Sequence, residues 1–479
     1  MAFPTAASDG FALSTADRER LERRVGEALA RARRHGEALA AITVPVDPAV
    51  DPAAVVAASR RAGEPWFVLE QPERGGAVIA ALGAVARLEA SGPGRFAEIA
   101  ARWRELAVRA ACDPPEGPRG TGPIAVGGFA FAPDGGRTPD WEGYGAASLH
   151  VPEVALARRD GDVRLTLAAL ARPDDTVDDL VGALLRRLAE LRPDARLPLL
   201  DPDPAGRHRV VSVMPPEHYE EAVARGVERI RAGELRKVVL ARAVDVHASA
   251  PHDPAAVLGV LRDGFPGCHL LCVGRGETAF VAASPELLIR REGQRAATLA
   301  LAGSTRRSAD PAVDDHLGER LLRSAKEREE HAIVVRRIVE SLRPAALWVT
   351  AAEEPEVVRM ANIQHLATPI LAQLGEPVPV VRLAELLHPT PAVGGEPLSV
   401  AAPLIPALEG MDRGWYAGPV GWTDLAEDGE FVVALRCALL RGRHARCYAG
   451  VGVMGDSDPA AELAETETKL GAMLPVLAL

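Results

Sequence analysis

Lysine is almost missing from this 479-residue chain: three lysines stand beside 52 arginines. Arginine keeps its charge at any ordinary pH, whereas lysine is a compact ammonium that can give up its proton in a suitable site. A chain that uses arginine nearly everywhere can reserve lysine for places where arginine fails, so Lys237, Lys326 and Lys469 are the residues to follow. Other scarcities narrow the class. Aromatics are only 4% of the residues, which leaves Ala, Val and Leu to build the core. No run of about 18 apolar residues occurs, so no membrane span is expected. Basic residues are outnumbered, for a formal charge of −11, which argues against a general nucleic-acid binder. An anionic small substrate stays open, because a site's local charge can differ from the total. Met1 to Leu13 lacks the basic start and apolar run of a secretory leader. The five cysteines (Cys112, Cys268, Cys272, Cys437 and Cys447) form no CxxC pair and are odd in number, which fits core thiols in a reducing cytoplasm.

What is present reads as mixed helices and strands. Residues 14–40 pattern as a charged amphipathic helix, 124–131 as a short apolar strand with a glycine pair, and 176–192 as a helix. Asp201-Pro-Asp-Pro-Ala-Gly206 has linker chemistry. Beyond it, Glu217 to Ala232 carries Val223, Val227 and Ile230 on one helical stripe. Arg236 to Val246 is strand-like, with Lys237, Val239 and Ala241 on one face. Further strands are expected at 268–274, 278–283, 286–291, 296–302, 431–440 and 445–453. One long helix is expected over 314–342. Asp458 and Pro459 suit the start of a final helix. Runs of adjacent strands mixed with helices imply an α+β fold.

Gly450-Val-Gly-Val-Met-Gly455 has the form of a dinucleotide-binding fingerprint, but its context fails. That fingerprint needs a following strand and an acidic residue about 20 positions on, and Leu474 to Leu479 holds no acid. Close approach of backbone to a ligand is the better functional reading. On the final helix, Glu462, Glu465 and Lys469 share a face; on spacing alone this is a solvated face with one Glu–Lys pair. Lys326-Glu-Arg-Glu-Glu-His331 is likewise a charged helical surface by itself. Carboxylates from two such helices could together hold Mg²⁺, a hard cation that takes oxygen ligands. Glu286 opens a strand. Arg436 lies inside the apolar run 431–440, on the face of Val432, Ala434 and Ala438, where a guanidinium needs an anionic partner from protein or substrate.

These residues fall into blocks. Among them are Lys237-Val-Val-Leu-Ala-Arg242, Ser284-Pro-Glu-Leu-Leu288, Leu301-Ala-Gly-Ser304, Lys326-Glu-Arg-Glu-Glu-His331 and His365-Leu-Ala-Thr-Pro369. They continue with His388-Pro-Thr-Pro-Ala-Val-Gly-Gly395, Gly414-Trp-Tyr-Ala-Gly-Pro-Val-Gly-Trp422, Leu435-Arg-Cys-Ala438, Tyr448-Ala-Gly-Val-Gly452 and Glu465-Thr-Glu-Thr-Lys469. In this order they resemble the chorismate-utilising enzymes, the family of isochorismate, salicylate, anthranilate and aminodeoxychorismate synthases. The likeness spans residues 215–475; residues 1–206 match weakly, chiefly at Gly127-Gly-Phe-Ala-Phe131. The resemblance implies that 1–206 and 207–479 complete one compact domain, with Asp201–Gly206 an internal loop.

The resemblance also implies a substrate, chorismate, and Mg²⁺ holding its ring carboxylate. Water-adding members carry a lysine where ammonia users usually have glutamine; Lys237 stands there. Ala302 occupies the position of the nucleophilic lysine of aminodeoxychorismate synthases. Ala392 stands where lyase and amination branches tend to place threonine. Together these imply an isochorismate synthase, an isomerase with no obligatory amidotransferase, and a domain this large can work as a monomer. Salicylate synthase and an anthranilate synthase-type subunit are the alternatives. In this reading Lys237 is the base and Glu286 the acid. Glu330 and Glu465 bind the metal, with Glu462 reaching it through water. Arg436 clamps the enolpyruvyl carboxylate, assisted by Tyr416 and the backbone at Gly450 and Gly452. Gly303, Ser304, His365, Ala392 and Lys469 complete the substrate pocket, and Lys326 supports it through a salt bridge. Menaquinone, catecholate siderophores and salicylate-derived products are all open as the downstream pathway.

Overall fold

A computed structural model describes residues 11–201, 206 and 208–478. Most of the Met1 to Leu13 segment, the middle of the 201–206 linker, residue 207 and the C-terminal Leu479 lie outside the described residues. Two extended sheets dominate. The larger runs in order through Arg209–Ser212, Lys237–His247, His444–Val453, Cys437–Arg441, Thr278–Ser284, His269–Arg275, Trp66–Gln71, Ala77–Leu82, Val154–Arg159, Asp162–Ala171, Ala38–Pro45 and Ala111–Cys112. The smaller runs through Ala346–Ala351, Ile363–Leu374, Arg295–Arg306, Leu287–Glu292, Gly429–Val433, Pro419–Asp424, Ile124–Phe129, Ala147–Val151 and Ala86–Ala90. Pairing is antiparallel except between Ala38–Pro45 and Ala111–Cys112. The fold is α+β, and both sheets draw strands from before and after residue 206.

The apolar strands read as near-continuous hydrophobic runs because both faces of the larger sheet are covered. Along His269–Arg275, Leu271 and Val273 enter a core shared by the two sheets, while Leu270 and Cys272 face a second core. That second core is built with the helices Thr15–His35, Val177–Glu190 and Pro254–Gly264. The period of two thus separates two interiors rather than core from solvent. Cys268, Cys272, Cys437 and Cys447 are buried free thiols. Among the described residues no helix is long and apolar enough to cross a membrane.

Three boundaries differ from the sequence expectation. The first helix stops at His35, because Gly36 adopts φ 98° and caps it, and a strand follows at once. The long 314–342 helix is two helices, Pro311–Arg323 and Ala325–Leu342. Ser324 is extended between them, and its side chain accepts from the Glu327 amide, so it starts a new helix rather than continuing the old one. The run 431–440 is not one strand. Gly429–Val433 belongs to the smaller sheet and Cys437–Arg441 to the larger, with Arg436 at φ 49° where the chain crosses between them. Arg436 therefore shares no strand face with Val432 and Ala438.

Candidate active site

Two helix starts and four strands converge on one pocket. Ser324 caps Ala325–Leu342, and Asp458, accepting from the Ala461 amide at 2.9 Å, caps Pro459–Leu470. Each helix then presents two glutamates one turn apart near its N-terminus: Glu327 and Glu330 on the first, Glu462 and Glu465 on the second. All four line the pocket, together with Lys237, Glu286, Gly303, Ser304, Lys326, His365, Ala392, Tyr416, Arg436, Gly450, Gly452 and Lys469. Every site residue expected from the sequence is thus brought together.

The three lysines of the chain each meet a different glutamate. Lys237 Nζ lies 2.7 Å from Glu330 Oε1, Lys469 Nζ 2.8 Å from Glu465 Oε1, and Lys326 Nζ 3.6 Å from Glu462 Oε1. Lys469 also donates to the Gly450 carbonyl at 3.0 Å. Glu327 has no lysine within ion-pair distance and accepts instead from the Ser304 amide at 3.1 Å. Burial, with Glu330 beside it, pushes the Glu327 carboxyl up to about 7. Burial also raises Glu462. Burial acts on Glu465 too, but Lys469 and the Ser304 hydroxyl, 2.8 Å away, outweigh it and hold that carboxyl low. Glu327 is the glutamate that sequence reasoning missed. The signal was present: Glu327 and Glu330 repeat the i, i+3 spacing of Glu462 and Glu465.

The donor set suits a hard cation. It is oxygen only, and carboxylates from two helices add their repulsion to the burial that raises Glu327 and Glu462. An added dication would relieve that repulsion. Glycine at 452 leaves room for the pair, because a Cβ there would sit 2.3 Å from Glu330 Oε1 and 2.7 Å from Lys237 Cε and push both side chains aside. Gly303, at φ 76°, makes the bulge in Arg295–Arg306 that turns Ser304 toward the two helices.

The other groups in the pocket are drier. Glu286 is buried, its amide held by Ser284 Oγ at 3.2 Å and its carbonyl by the Val433 amide at 3.0 Å. Burial pushes its carboxyl up to about 8, against the opposing pull of Lys237 and Arg436. Arg436 is buried and donates from Nη2 to His365 Nε2 at 2.6 Å; its Nη1 has no partner among the described residues. His365 is held neutral by burial and by Arg436, and its Nδ1 donates to the Gly303 carbonyl at 3.2 Å. Among the described residues no carboxylate forms an ion pair with Arg436, so the guanidinium can take an anion in the pocket. Tyr416 stacks on Tyr448 with ring centroids 5.2 Å apart. Beneath Tyr416, Arg413 donates to the carbonyls of Val239 (2.9 Å) and Val393 (2.8 Å) and pairs with Glu409, which accepts from the Ala241 amide at 2.7 Å. The buried Arg413–Glu409 pair therefore ties the lysine strand to the loop carrying Ala392. Sequence reasoning did not find it, because its role depends on backbone carbonyls distant in the chain.

The arrangement can do paired acid–base chemistry on an anionic substrate beside a wall of carboxylates. The chorismate binding enzyme family model matches residues 26–478, so the likeness extends well beyond 215–475. The salicylate biosynthesis isochorismate synthase of Pseudomonas aeruginosa is 38% identical over 456 residues, covering 95% of this chain and 93% of that one. The isochorismate synthase MenF of Bacillus subtilis is 32% identical, covering 74% of this chain and 75% of that one. Among solved structures, the menaquinone-specific isochorismate synthase MenF of Escherichia coli superposes with a TM-score of 0.76 at 27% identity, over 95% of this chain and 100% of that one.

Proposed function

This chain belongs to the chorismate binding enzyme family, and from that premise we propose that it is an isochorismate synthase. The observation that carries the reading is the pairing of Lys237 with Glu286 in one pocket, a buried amine and a carboxyl held protonated at neutral pH. Water attacks ring C2 as the Lys237 amine takes its proton. The ring double bonds shift, and the C4 hydroxyl leaves as water on receiving the Glu286 proton. One water enters and one leaves, so the product is an isomer of the substrate. Arginine could not serve as this base at neutral pH.

Arg436 binds the enolpyruvyl carboxylate through its free Nη1, and His365 fixes the guanidinium plane. Glu330 and Glu465, flanked by Glu327 and Glu462, would hold Mg²⁺, which supplies charge neutralisation and placement of the ring carboxylate. Ala392, in place of threonine, favours release of isochorismate over pyruvate loss.

The test is product chromatography from chorismate with and without Mg²⁺ and ammonium. Isochorismate alone, made only with Mg²⁺, is the expected result. Salicylate formed without a partner lyase, or anthranilate formed with ammonium, overturns the proposal.

A further inference from the structure

At the far end of the lysine strand, three side chains meet outside the pocket. Lys237–His247 starts at the proposed base and ends at His247, about 33 Å further along an extended strand. Asp245 and His247 are two residues apart and so share one face. The antiparallel neighbour His444–Val453 pairs His444 with His247 and Arg446 with Asp245, which puts His444 on that face as well. None of the three lines the lysine–glutamate pocket.

Their distances suit a shared ion. His444 Nε2 lies 3.2 Å from Asp245 Oδ1, and the two histidine rings have centroids 5.1 Å apart. One nitrogen or oxygen from each of Asp245, His247 and His444 lies within 4.8 Å of the other two. Two ligands about 2.0 Å from one tetrahedral ion stand about 3.3 Å apart. Asp245 and His444 therefore already have the spacing of one coordination edge. His247 is exposed and can swing the remaining distance without disturbing the core.

The neighbouring charges leave room for a cation. Arg446 holds Asp245 from Nε to Oδ1 at 2.7 Å and from Nη2 to Oδ2 at 3.0 Å, and it also pairs with Asp140. Two carboxylates thus answer one guanidinium. Each carboxylate oxygen has two lone pairs, so the one on Oδ1 that now meets His444 is open to a metal. Arg446 fixes the carboxylate as outer hydrogen bonds orient metal ligands. Arg209, opposite His247 on the next strand, is exposed, and solvent screens its charge.

We propose that Asp245, His247 and His444 bind a divalent transition-metal ion of the zinc class, with water at the remaining position. Two imidazoles and one carboxylate select such an ion over Mg²⁺, which takes oxygen ligands. His444 coordinates through Nε2 as a neutral imidazole with its proton on Nδ1, exchanging its contact with Asp245 for a metal bond. The ion joins two strands at the end away from the pocket, so it acts on stability and not on turnover. This inference does not depend on how the pocket is read.

Calorimetric titration of the untagged full chain with Zn²⁺, in excess Mg²⁺ to compete at the glutamates, tests it. Wild type should bind one equivalent, and His247→Ala and His444→Gln should each weaken binding about 100-fold. Zn²⁺ should raise the melting temperature of wild type by about 2–4 °C and leave that of His247→Ala unchanged. Both variants should keep wild-type turnover with Mg²⁺. His247 is exposed, so His247→Ala folds and keeps the test decisive. Absence of Zn²⁺ binding under excess Mg²⁺, or binding that is equal in wild type and His247→Ala, overturns the proposal. So does binding lost in Glu330→Gln but kept in both histidine variants, which would put the ion in the pocket.

Discussion

Glu286 and Glu465 line one pocket, and burial pushes on both, yet they end on opposite sides of neutral pH. Glu286 opens a strand between the sheets, and the pull of Lys237 and Arg436 does not overcome its desolvation, so it keeps its proton up to about pH 8. Glu465 sits near a helix start with Lys469 and Ser304 both at 2.8 Å, and it stays charged. The same side chain becomes an acid in one place and a candidate metal ligand in the other. The difference lies in how many donors reach the carboxylate and in how deeply it is buried, since Glu286 is buried and Glu465 only half-buried.

The largest effect should come from removing the base. Lys237→Ala should lower kcat by about 10³-fold while chorismate and Mg²⁺ still bind, measured by steady-state kinetics and calorimetry. Near-normal turnover would end the assignment of the base.

Glu286→Gln tests the comparison directly. It keeps the shape of the acid and removes its proton, so kcat should fall by about 10²-fold with KM little changed. In wild type, activity should decline as pH rises through about 8, when Glu286 loses the proton it must donate, and Glu286→Gln should lack that limb. Stability follows the same group. The native state holds this proton more tightly than the unfolded chain, whose carboxyl titrates near its model value of 4.5. The stabilising contribution is therefore complete below about pH 4.5 and lost as pH rises through about 8. Melting from pH 5 to 9 should show wild type losing stability relative to Glu286→Gln.

The Arg413–Glu409 pair offers a smaller, structural way to disturb the same groups. Arg413→Met alone leaves Glu409 buried and unpaired and should cost about 3–5 kcal/mol in urea unfolding. Arg413→Met with Glu409→Leu removes both charges and should recover most of that stability. Activity should not recover with it, staying about 10-fold down, because the lysine strand has lost its tie to the Ala392 loop. Recovery of turnover along with stability would make the pair a packing feature only.

Side chains in the pocket were more legible in the sequence than the backbone that places them. Lys237, Glu286, Arg436 and the two-helix acids could be found because short blocks keep chemical groups at fixed spacing. The break at Ser324 was hidden, because charged helical patterning continues on both sides of it and a lone serine is a weak stop signal. The crossing at Arg436 was hidden for a related reason. An apolar run has the same pattern whether it stays in one sheet or passes between two, and only the left-handed backbone at Arg436 separates these cases. Both missed features set geometry: one starts the helix of Glu327 and Glu330, and the other aims the guanidinium into the pocket.

Lys326 should show the smallest effect, and the reason lies in its surroundings rather than its chemistry. It is 36% exposed and 3.6 Å from Glu462, against 1% and 2.7 Å for Lys237 and Glu330. With its lysine that open to solvent and its distance that long, the pair gains little from Coulomb attraction and is screened by salt, although Glu462 itself is buried. Lys326→Arg and Lys326→Ala should both keep kcat within roughly threefold of wild type. Any fall in Lys326→Ala should grow as salt is lowered, since the pair is strongest there. If Lys326→Arg instead loses activity as severely as Lys237→Ala, position 326 needs an ammonium specifically, and the scarcity of lysine would then have marked three working residues rather than two and a support.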